Sequence, residues 1–160
     1  MFSQRLLERA GALVARFSAL GLTLATAESC TGGLLAGLLS EIPGASNVLD
    51  RGYVTYSNAA KIAMLGVPEA LLQAHGAVSA ATARAMAEGA LAASGCAAAM
   101  AITGIAGPGG GSPAKPIGLV YFHLAGPGRA SPLERRYGDL SRAAIRQAAL
   151  ASALDLLETI

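Results

Sequence analysis

The densest group of reactive side chains is one short run: Glu28, Ser29, Cys30, Thr31, Gly32 and Gly33. The run joins a predicted strand to a predicted helix, so a serine hydroxyl within it projects beyond the edge of a sheet. Unpaired backbone N–H groups at the start of the helix are suited to stabilise a developing oxyanion or to bind a phosphate. Ser29 is therefore a candidate nucleophile. The alternative, which this run taken alone favours, is that Ser29 or Thr31 simply caps the helix.

Lys61 is the candidate base for such a nucleophile. The chain contains ten arginines and only two lysines, and a lysine can lose its proton at a pH where an arginine cannot. Lys61 is predicted in the first turn of a helix, where the helix dipole and burial both lower a lysine pKa. The alternative is an exposed, solvated lysine. The two histidines, His75 and His123, are predicted in a loop and within a strand, and neither suits this role.

Tyr56 ends a second predicted strand, just before the helix that carries Lys61. It is placed to hydrogen-bond between Ser29 and Lys61 and to relay a proton, although a half-buried strand aromatic is the alternative. The predicted topology connects Ser29, Tyr56 and Lys61. If the two strands are parallel, their carboxyl ends meet at one edge of the sheet, where open α/β folds bind ligands.

Two further elements are candidates for binding an anion. A glycine-rich loop at residues 103–112 follows a third predicted strand, and its bare backbone N–H groups can approach a phosphate or an oxyanion closely. The loop lacks the Gly-Lys-Ser/Thr ending of ATP-binding loops and the GxGxxG pattern of dinucleotide-binding folds. Arg142 and Arg146, four residues apart on the last helix, share a face that could clamp a phosphate or carboxylate. A mobile surface loop and an exposed basic face are the alternatives.

Composition excludes several other classes of protein. The 160 residues are 53% hydrophobic and 14% charged, with a net charge of +2, which predicts a single folded domain over residues 1–160. Aromatic residues are only 4% and Trp is absent, so a nucleic-acid partner is not expected. Cys30, Cys96 and the two histidines match no metal-ligand spacing, and no metal site is expected.

The distribution of charge also bears on location. Arg5, Glu8, Arg9 and Arg16 interrupt the N-terminal segment, so no export signal is predicted and a cytoplasmic protein is expected. An uncharged stretch at residues 89–114 is long enough to span a membrane, but glycines and a proline break it. We interpret it as buried α/β core, and no membrane partner is expected.

Hydrophobic periodicity predicts helices that alternate with strands. Helices are predicted at residues 2–20, 31–42, 59–65, 68–74, 79–93 and 141–160, and strands at 22–27, 51–56, 96–103, 117–125 and 133–137. Gly21 is predicted to end the first helix, Ser57 or Asn58 to cap the third, and residues 126–128 to form a hairpin turn. The order of elements predicts a three-layer α/β/α domain with a mixed, mainly parallel sheet.

Four segments in this order resemble the CinA C-terminal domain family, whose stand-alone members are nicotinamide-nucleotide amidohydrolases. They are residues 26–33, 51–61, 75–79 and 103–108. The resemblance implies hydrolysis of the carboxamide of nicotinamide mononucleotide to nicotinate mononucleotide and ammonia, without a metal or organic cofactor. It also implies a homodimer. Many relatives carry a large N-terminal domain associated with metal-dependent pyrophosphatase activity, and that activity is not expected of this chain.

The resemblance also implies roles for individual residues. Ser29 matches the family's nucleophile, Lys61 its basic partner and Tyr56 the tyrosine between them, while Arg142 and Arg146 resemble its basic segment more loosely. The expected binding groups are the backbone of Cys30, Thr31, Gly32 and Gly33 for the oxyanion, Thr103, Gly104, Ala106 and Gly107 with an arginine for the phosphate, and Glu28 for the cationic pyridinium. The loop departs from the family at residues 109–112, where an acidic residue often follows the proline.

Three alternatives to this reading stay open. Tyr56 could be the immediate base, with Lys61 lowering its pKa. Cys30 could be the nucleophile of an amidase whose catalytic residues are Cys30, Glu28 and Lys61. Finally, the chain could be a nucleotide-binding or partner-binding module without turnover.

Overall fold

The computed structural model describes residues 2–126 and 129–160. The helices are α1 (Gln4–Leu20), α2 (Leu34–Ser40), α3 (Asn58–Leu65), α4 (Glu69–His75), α5 (Ala80–Ser94) and α6 (Arg142–Leu157). The strands are β1 (Leu24–Glu28), β2 (Leu49–Val54), β3 (Ala98–Gly104), β4 (Leu119–Gly126) and β5 (Arg129–Arg136). Every predicted helix and strand has a counterpart here, and a short 3-10 turn at Ala45–Asn47 is additional. The predicted hairpin turn falls partly on residues 127 and 128, which lie outside the described residues.

The five strands form one sheet in the order β2-β1-β3-β4-β5. Strand β1 pairs in parallel with β2 and with β3, whereas β4 is antiparallel to both β3 and β5. Four strands therefore point the same way and only β4 is reversed. This confirms the mixed, mainly parallel sheet, and it places the carboxyl ends of β1, β2 and β3 together at one edge.

Helices cover both faces of the sheet, which confirms the three layers. On one face α1, α2 and α6 bury a core that includes Phe17, Leu38, Phe122 and Leu150. On the other face α5 packs with α3 and α4 over alanines of β1 and β3. Small side chains on this face let the helices approach closely, and at Gly89 a Cβ atom would lie only 1.9 Å from a backbone oxygen of α3.

Four of the helices begin at a serine that caps them. The side chains of Ser3, Ser57, Ser79 and Ser141 each accept a hydrogen bond from a backbone N–H in the first turn. Gly21, in a left-handed conformation, ends α1 as predicted. Helix α2 differs because its N-cap residue is Gly33, which has no side chain to accept a bond.

Among residues 2–126 and 129–160, no helix combines the length and the hydropathy needed to cross a bilayer. The uncharged stretch at residues 89–114 forms the end of α5, strand β3 and the start of the glycine-rich loop. Because the residues of β3 are buried at every position but the last, this part of the stretch is sheet core, as predicted. Residues 108–114 of the loop are exposed, and the prediction of buried core is wrong for them.

Candidate active site

Strands β1 and β2 end side by side, with Glu28 opposite Val54 in the parallel register. The next residue of the second strand, Thr55, continues this pairing, because its N–H donates to the carbonyl of Glu28 over 2.9 Å. Ser29 leaves β1 at this point, and its own N–H donates to the carbonyl of Ile102 in β3. The serine is thus held at the edge of the sheet by backbone bonds to both neighbouring strands.

Lys61 reaches Ser29 directly. Its Nζ lies 3.1 Å from the Oγ of Ser29 and donates to the carbonyl of Thr55 over 2.8 Å. The lysine is in the first turn of α3 and only 1% exposed, so the alternative of a solvated lysine is wrong. The carbonyl of Thr55 fixes the direction of the amine toward the hydroxyl.

Burial lowers the pKa of Lys61 below its ordinary value. A partner carboxylate would act in the opposite direction, but none forms an ion pair with Lys61 within the described part of the chain. The position in the first turn of α3 also disfavours the cation. These conditions favour an uncharged amine beside a hydroxyl, which is what a general base for a serine requires.

Both residues line a cavity of about 270 Å³ at the carboxyl edge of the sheet. Its other walls are Cys30, Tyr56, Ala77, Val78, Thr103, Gly104, Ile105, Ala106, Gly107, Gly109, Gly110 and Arg142. A larger groove of about 720 Å³ lies between the start of α1 and α6. Its one hydroxyl side chain, Ser3, caps α1, so the smaller cavity is the one that holds a nucleophile and a base.

Glu28 has a role that the sequence analysis missed. Its carboxylate is fully buried and accepts from the backbone N–H groups of Gly33, Leu35 and Ala36 over 3.0–3.1 Å. The last residue of β1 thereby caps α2, whose own N-cap is a glycine, and the expected cap by Ser29 or Thr31 is wrong. Since all three bonds point into α2, the expectation that Glu28 binds a pyridinium is also wrong for this arrangement.

The backbone donors expected for an oxyanion divide into two pairs. The N–H groups of Gly32 and Gly33 are already bonded, to the carbonyl of Ser29 and to Glu28 respectively. The N–H groups of Cys30 and Thr31 donate to no other residue that the structure describes. Only the second pair is available to a ligand, and Cys30 itself lines the cavity.

The thiol of Cys30 is buried, and burial raises its pKa to about 12. A thiol of this kind stays protonated near neutral pH, whereas nucleophilic attack by cysteine requires the thiolate. In addition, the contact of Lys61 is with the hydroxyl of Ser29. The geometry therefore favours Ser29 over Cys30 as the nucleophile.

Tyr56 lines the cavity but does not lie between Ser29 and Lys61. Its side chain is 58% exposed, and its hydroxyl accepts a hydrogen bond of 2.6 Å from Nη2 of Arg142. The expected position of Tyr56 as a proton relay is wrong, because Lys61 contacts Ser29 directly. The tyrosine instead follows β2, which is an edge strand of the sheet, and its side chain is exposed.

The two arginines occupy different places. Arg142 is exposed at the cavity, where it bridges Tyr56 and the glycine-rich loop by donating from Nη1 to the carbonyl of Gly107 over 2.9 Å. Arg146 lies behind the turn that follows β1 and donates to the carbonyl of Thr31 over 2.8 Å. A side chain at Gly32 would approach Nη2 of Arg146 to 3.5 Å. Only Arg142 is positioned to contact a ligand in the cavity.

The glycine-rich loop lines the cavity as expected, at Thr103, Gly104, Ala106 and Gly107. The hydroxyl of Thr103 donates to the carbonyl of Ala77 over 2.8 Å, and Lys115 donates to the carbonyl of His75 over 2.6 Å. Both bonds attach the loop to the segment before α5. That segment was not predicted to belong to the site, although residues 75–79 are part of the resemblance.

Other groups of the site that were not predicted are main-chain atoms, chiefly the carbonyl of Thr55, which accepts a hydrogen bond from Lys61. A main-chain group leaves no residue-type signal in a sequence, so neighbouring Lys61 was the only indication of it. Within residues 2–126 and 129–160, no three His, Cys, Asp or Glu side chains lie close enough together to hold a metal ion.

The fold and the site define an α/β protein with a buried serine–lysine pair at the carboxyl ends of parallel strands. The model of the CinA C-terminal domain matches residues 7–160, and the chain belongs to that family. A CinA-like protein of Anaeromyxobacter sp. (strain Fw109-5) is 56% identical over 146 residues, which is 91% of this chain and 35% of that protein. The chain thus spans about a third of the length of the curated relatives it matches.

Solved structures of the same family superpose closely. The competence/damage inducible protein CihA from Agrobacterium tumefaciens has a TM-score of 0.97 and 50% identity, covering 99% of this chain and 97% of that one. The CinA superfamily protein from Escherichia coli has a TM-score of 0.92 and 31% identity, covering 100% and 94%. The single-domain α/β fold is therefore that of the CinA superfamily.

Proposed function

We propose that this chain hydrolyses the carboxamide of nicotinamide mononucleotide to give nicotinate mononucleotide and ammonia. The observation that carries the proposal is the 3.1 Å contact between Nζ of Lys61 and Oγ of Ser29 inside the cavity. A neutral amine beside a serine hydroxyl is a base and a nucleophile for acyl transfer. The substrate follows from the resemblance of the four segments to the stand-alone amidohydrolases of the family.

In the first step, the lone pair of Lys61 takes the proton of Ser29 while Oγ bonds to the carboxamide carbon. The carbonyl of Thr55 holds one N–H of the amine, so that the lone pair can face Oγ. The protonated lysine then gives its proton to the amide nitrogen, the C–N bond breaks and ammonia leaves. Water attacks the resulting nicotinoyl ester with Lys61 again as base, which releases the carboxylate and restores Ser29.

The negative charge on the tetrahedral intermediate is stabilised by backbone N–H groups. Those of Cys30 and Thr31 donate to no other residue within the described structure and follow Ser29 directly. Donors of this kind contribute about 3 kcal/mol each to the transition state in other hydrolases. The carboxylate of Glu28 keeps this turn attached to α2, so the donors are held in place before the substrate arrives.

The phosphate of the substrate binds at the exposed rim of the cavity. There the guanidinium of Arg142, the start of α6 and the backbone of the glycine-rich loop come together, and each favours an anion. A cavity of about 270 Å³ is close to the small end of ligand pockets, roughly 300 Å³. It suits the ring and leaves the phosphate outside, at Arg142.

The test is ammonia release from nicotinamide mononucleotide in the presence of a chelator. Wild type should turn over, and Ser29→Ala and Lys61→Ala should each lower kcat by about 10³-fold or more. Cys30→Ala, which keeps the backbone donor, is the matched control and should retain most turnover. The riboside, which lacks the phosphate, should react with a kcat/KM at least about tenfold lower.

Two outcomes would contradict the proposal. If Ser29→Ala retained activity that Cys30→Ala lost, the nucleophile would be the cysteine. If wild type bound the mononucleotide without releasing ammonia, the chain would be a nucleotide-binding module. Thermal unfolding of each variant separates loss of chemistry from loss of the fold.

A further inference from the structure

The cavity that contains Ser29 has no carboxylate among its lining residues, although two of its side chains, Lys61 and Arg142, are basic. Glu28, the acidic residue next to Ser29, uses its carboxylate for three backbone N–H groups of α2. The pyridinium ring of the proposed substrate carries a permanent positive charge. An ion pair therefore does not bind this ring, and another favourable contact must offset its repulsion by Arg142.

Tyr56 is the one aromatic side chain that lines the cavity. Its ring lies beside the turn that holds Ser29, with Cε2 at 4.0 Å from where a Cβ atom of Gly32 would be. The hydrogen bond from Arg142 is made to the hydroxyl and not to either of the faces of the ring. Because the side chain is 58% exposed, a flat ligand can cover one of these faces.

We infer that Tyr56 is a specificity residue whose ring face stacks on the pyridinium and selects the oxidised, cationic nicotinamide ring over the neutral reduced one. Aromatic faces attract cations, and the attraction strengthens where water is excluded. The inference rests on the proposed function and deepens it. It replaces a proton-relay role for the tyrosine, because its hydroxyl bonds to Arg142 and Lys61 contacts Ser29 without it.

An aromatic ring also suits this site better than a carboxylate would. A carboxylate close enough to pair with the pyridinium would also lie close to Lys61 and favour its protonated form. The lysine would then no longer accept the proton of Ser29. A ring face attracts the cation through its quadrupole and carries no net charge, so it binds the substrate without disabling the base.

The experiment compares Tyr56→Phe, which keeps the ring, with Tyr56→Leu, which removes it. Nicotinamide mononucleotide is the substrate, and its reduced form, with a neutral dihydropyridine ring, is the competitive inhibitor. Tyr56→Leu should raise KM for the substrate by about tenfold and lower kcat by less than about threefold, since the contact is made equally in the ground and transition states. The inhibition constant of the reduced form should change by less than about threefold.

Tyr56→Phe should restore most of the affinity, with KM within about threefold of wild type. A fall in kcat of Tyr56→Phe as large as that of Tyr56→Leu, at unchanged KM, would overturn the inference in favour of proton transfer by the hydroxyl. Equal weakening of the substrate and of the reduced form by Tyr56→Leu would overturn it in favour of apolar packing. No change in either constant would also overturn it.

Calorimetric binding of the two nucleotides separates this inference from the proposed function. If wild type released no ammonia, tighter binding of the oxidised form that is lost in Tyr56→Leu would still support charge selection. Equal binding of the two forms by wild type would overturn it. Tyr56→Met is the second variant, should Tyr56→Leu unfold at a lower temperature than wild type.

Discussion

Among the described residues, two buried basic side chains differ in their surroundings: one lies in a helix at the edge of the sheet and has hydrogen-bond partners, and the other lies within a strand and has none. Lys61, at the carboxyl edge, is 1% exposed and contacts Ser29 and the carbonyl of Thr55. His123, in the middle of β4 under α5, is 3% exposed, and neither ring nitrogen has a hydrogen-bond partner among the described residues. Burial lowers the pKa of both side chains.

A basic side chain is not a catalytic base merely because burial lowers its pKa. Burial favours the uncharged form of both groups, but a base does chemistry only where it reaches a proton that a reaction must move. The charged groups that act on His123 are Glu88 and Arg84 of α5, and its cavity is otherwise lined by Ala80, Ala81 and Pro132. Within the described residues, a basic side chain with a lowered pKa therefore occurs at two places, and only Lys61 also contacts a hydroxyl.

The largest expected effect comes from replacing Lys61 with a side chain of similar length that stays protonated. Lys61→Arg should lower kcat for ammonia release by about 10³-fold, because a guanidinium does not accept the proton of Ser29. Steady-state assays at saturating nicotinamide mononucleotide measure the change. His123→Gln is the matched control at the other buried base, and it should leave kcat within about twofold of wild type.

The pH dependence of kcat/KM sharpens the same test. Since the pKa of Lys61 lies below its ordinary value, the wild-type rate should rise as pH increases and level off before the ordinary pKa of lysine, about 10.4, is reached. An arginine variant with wild-type turnover and the same profile would show that Lys61 only positions Ser29.

The next largest effect is expected at Glu28, a further buried ionisable group, whose carboxylate accepts three backbone hydrogen bonds. Glu28→Gln should lower the free energy of unfolding by about 2–3 kcal/mol, because an amide NH2 would face the N–H groups at the start of α2. Urea unfolding measures this loss. KM of the folded variant should stay within about threefold of wild type. A large rise in KM without a loss of stability would mean that Glu28 binds the pyridinium after all.

The smallest effect is expected at His123. Its folded pKa is lowered, so the unfolded chain binds more protons as pH falls through the ordinary value near 6.5, and stability is lost from there downward. His123→Leu should remove this acid sensitivity and raise stability at pH 7 by about 1 kcal/mol, since an unpartnered buried polar group is replaced. Urea unfolding at pH 7 and pH 5 checks both changes. An equal loss on acidification in both proteins would assign the sensitivity to other groups.

Much of the fold and the central pair of the site follow from local pattern. Periodicity predicted every helix and strand, and the position of Ser29 after β1 and of Lys61 after β2 brings the two together once the strands are parallel. This juxtaposition needs only the strand order and direction, which α/β sequences specify well.

The rest depends on where individual side chains point. Glu28 caps α2 because the turn after β1 brings the start of this helix next to its carboxylate. From the sequence alone, a glutamate at the end of a strand is equally compatible with binding a ligand. The roles of the arginines depend on contacts of still longer range, since Arg142 bonds Tyr56 across 86 positions and Arg146 bonds Thr31 across 115. No spacing rule relates residues so far apart.

The distance along the chain between the two halves of the site also sets an order during synthesis. Ser29 and Lys61 both belong to the first 61 residues, whereas Arg142 leaves the ribosome 81 residues after Lys61, about 4–16 s later at 5–20 residues per second. A nascent chain therefore contains Ser29 and Lys61 before it contains the arginine that we propose binds the phosphate of the substrate. In the proposed function, the docking of α6 adds the phosphate contact to a serine–lysine pair that the chain already contains.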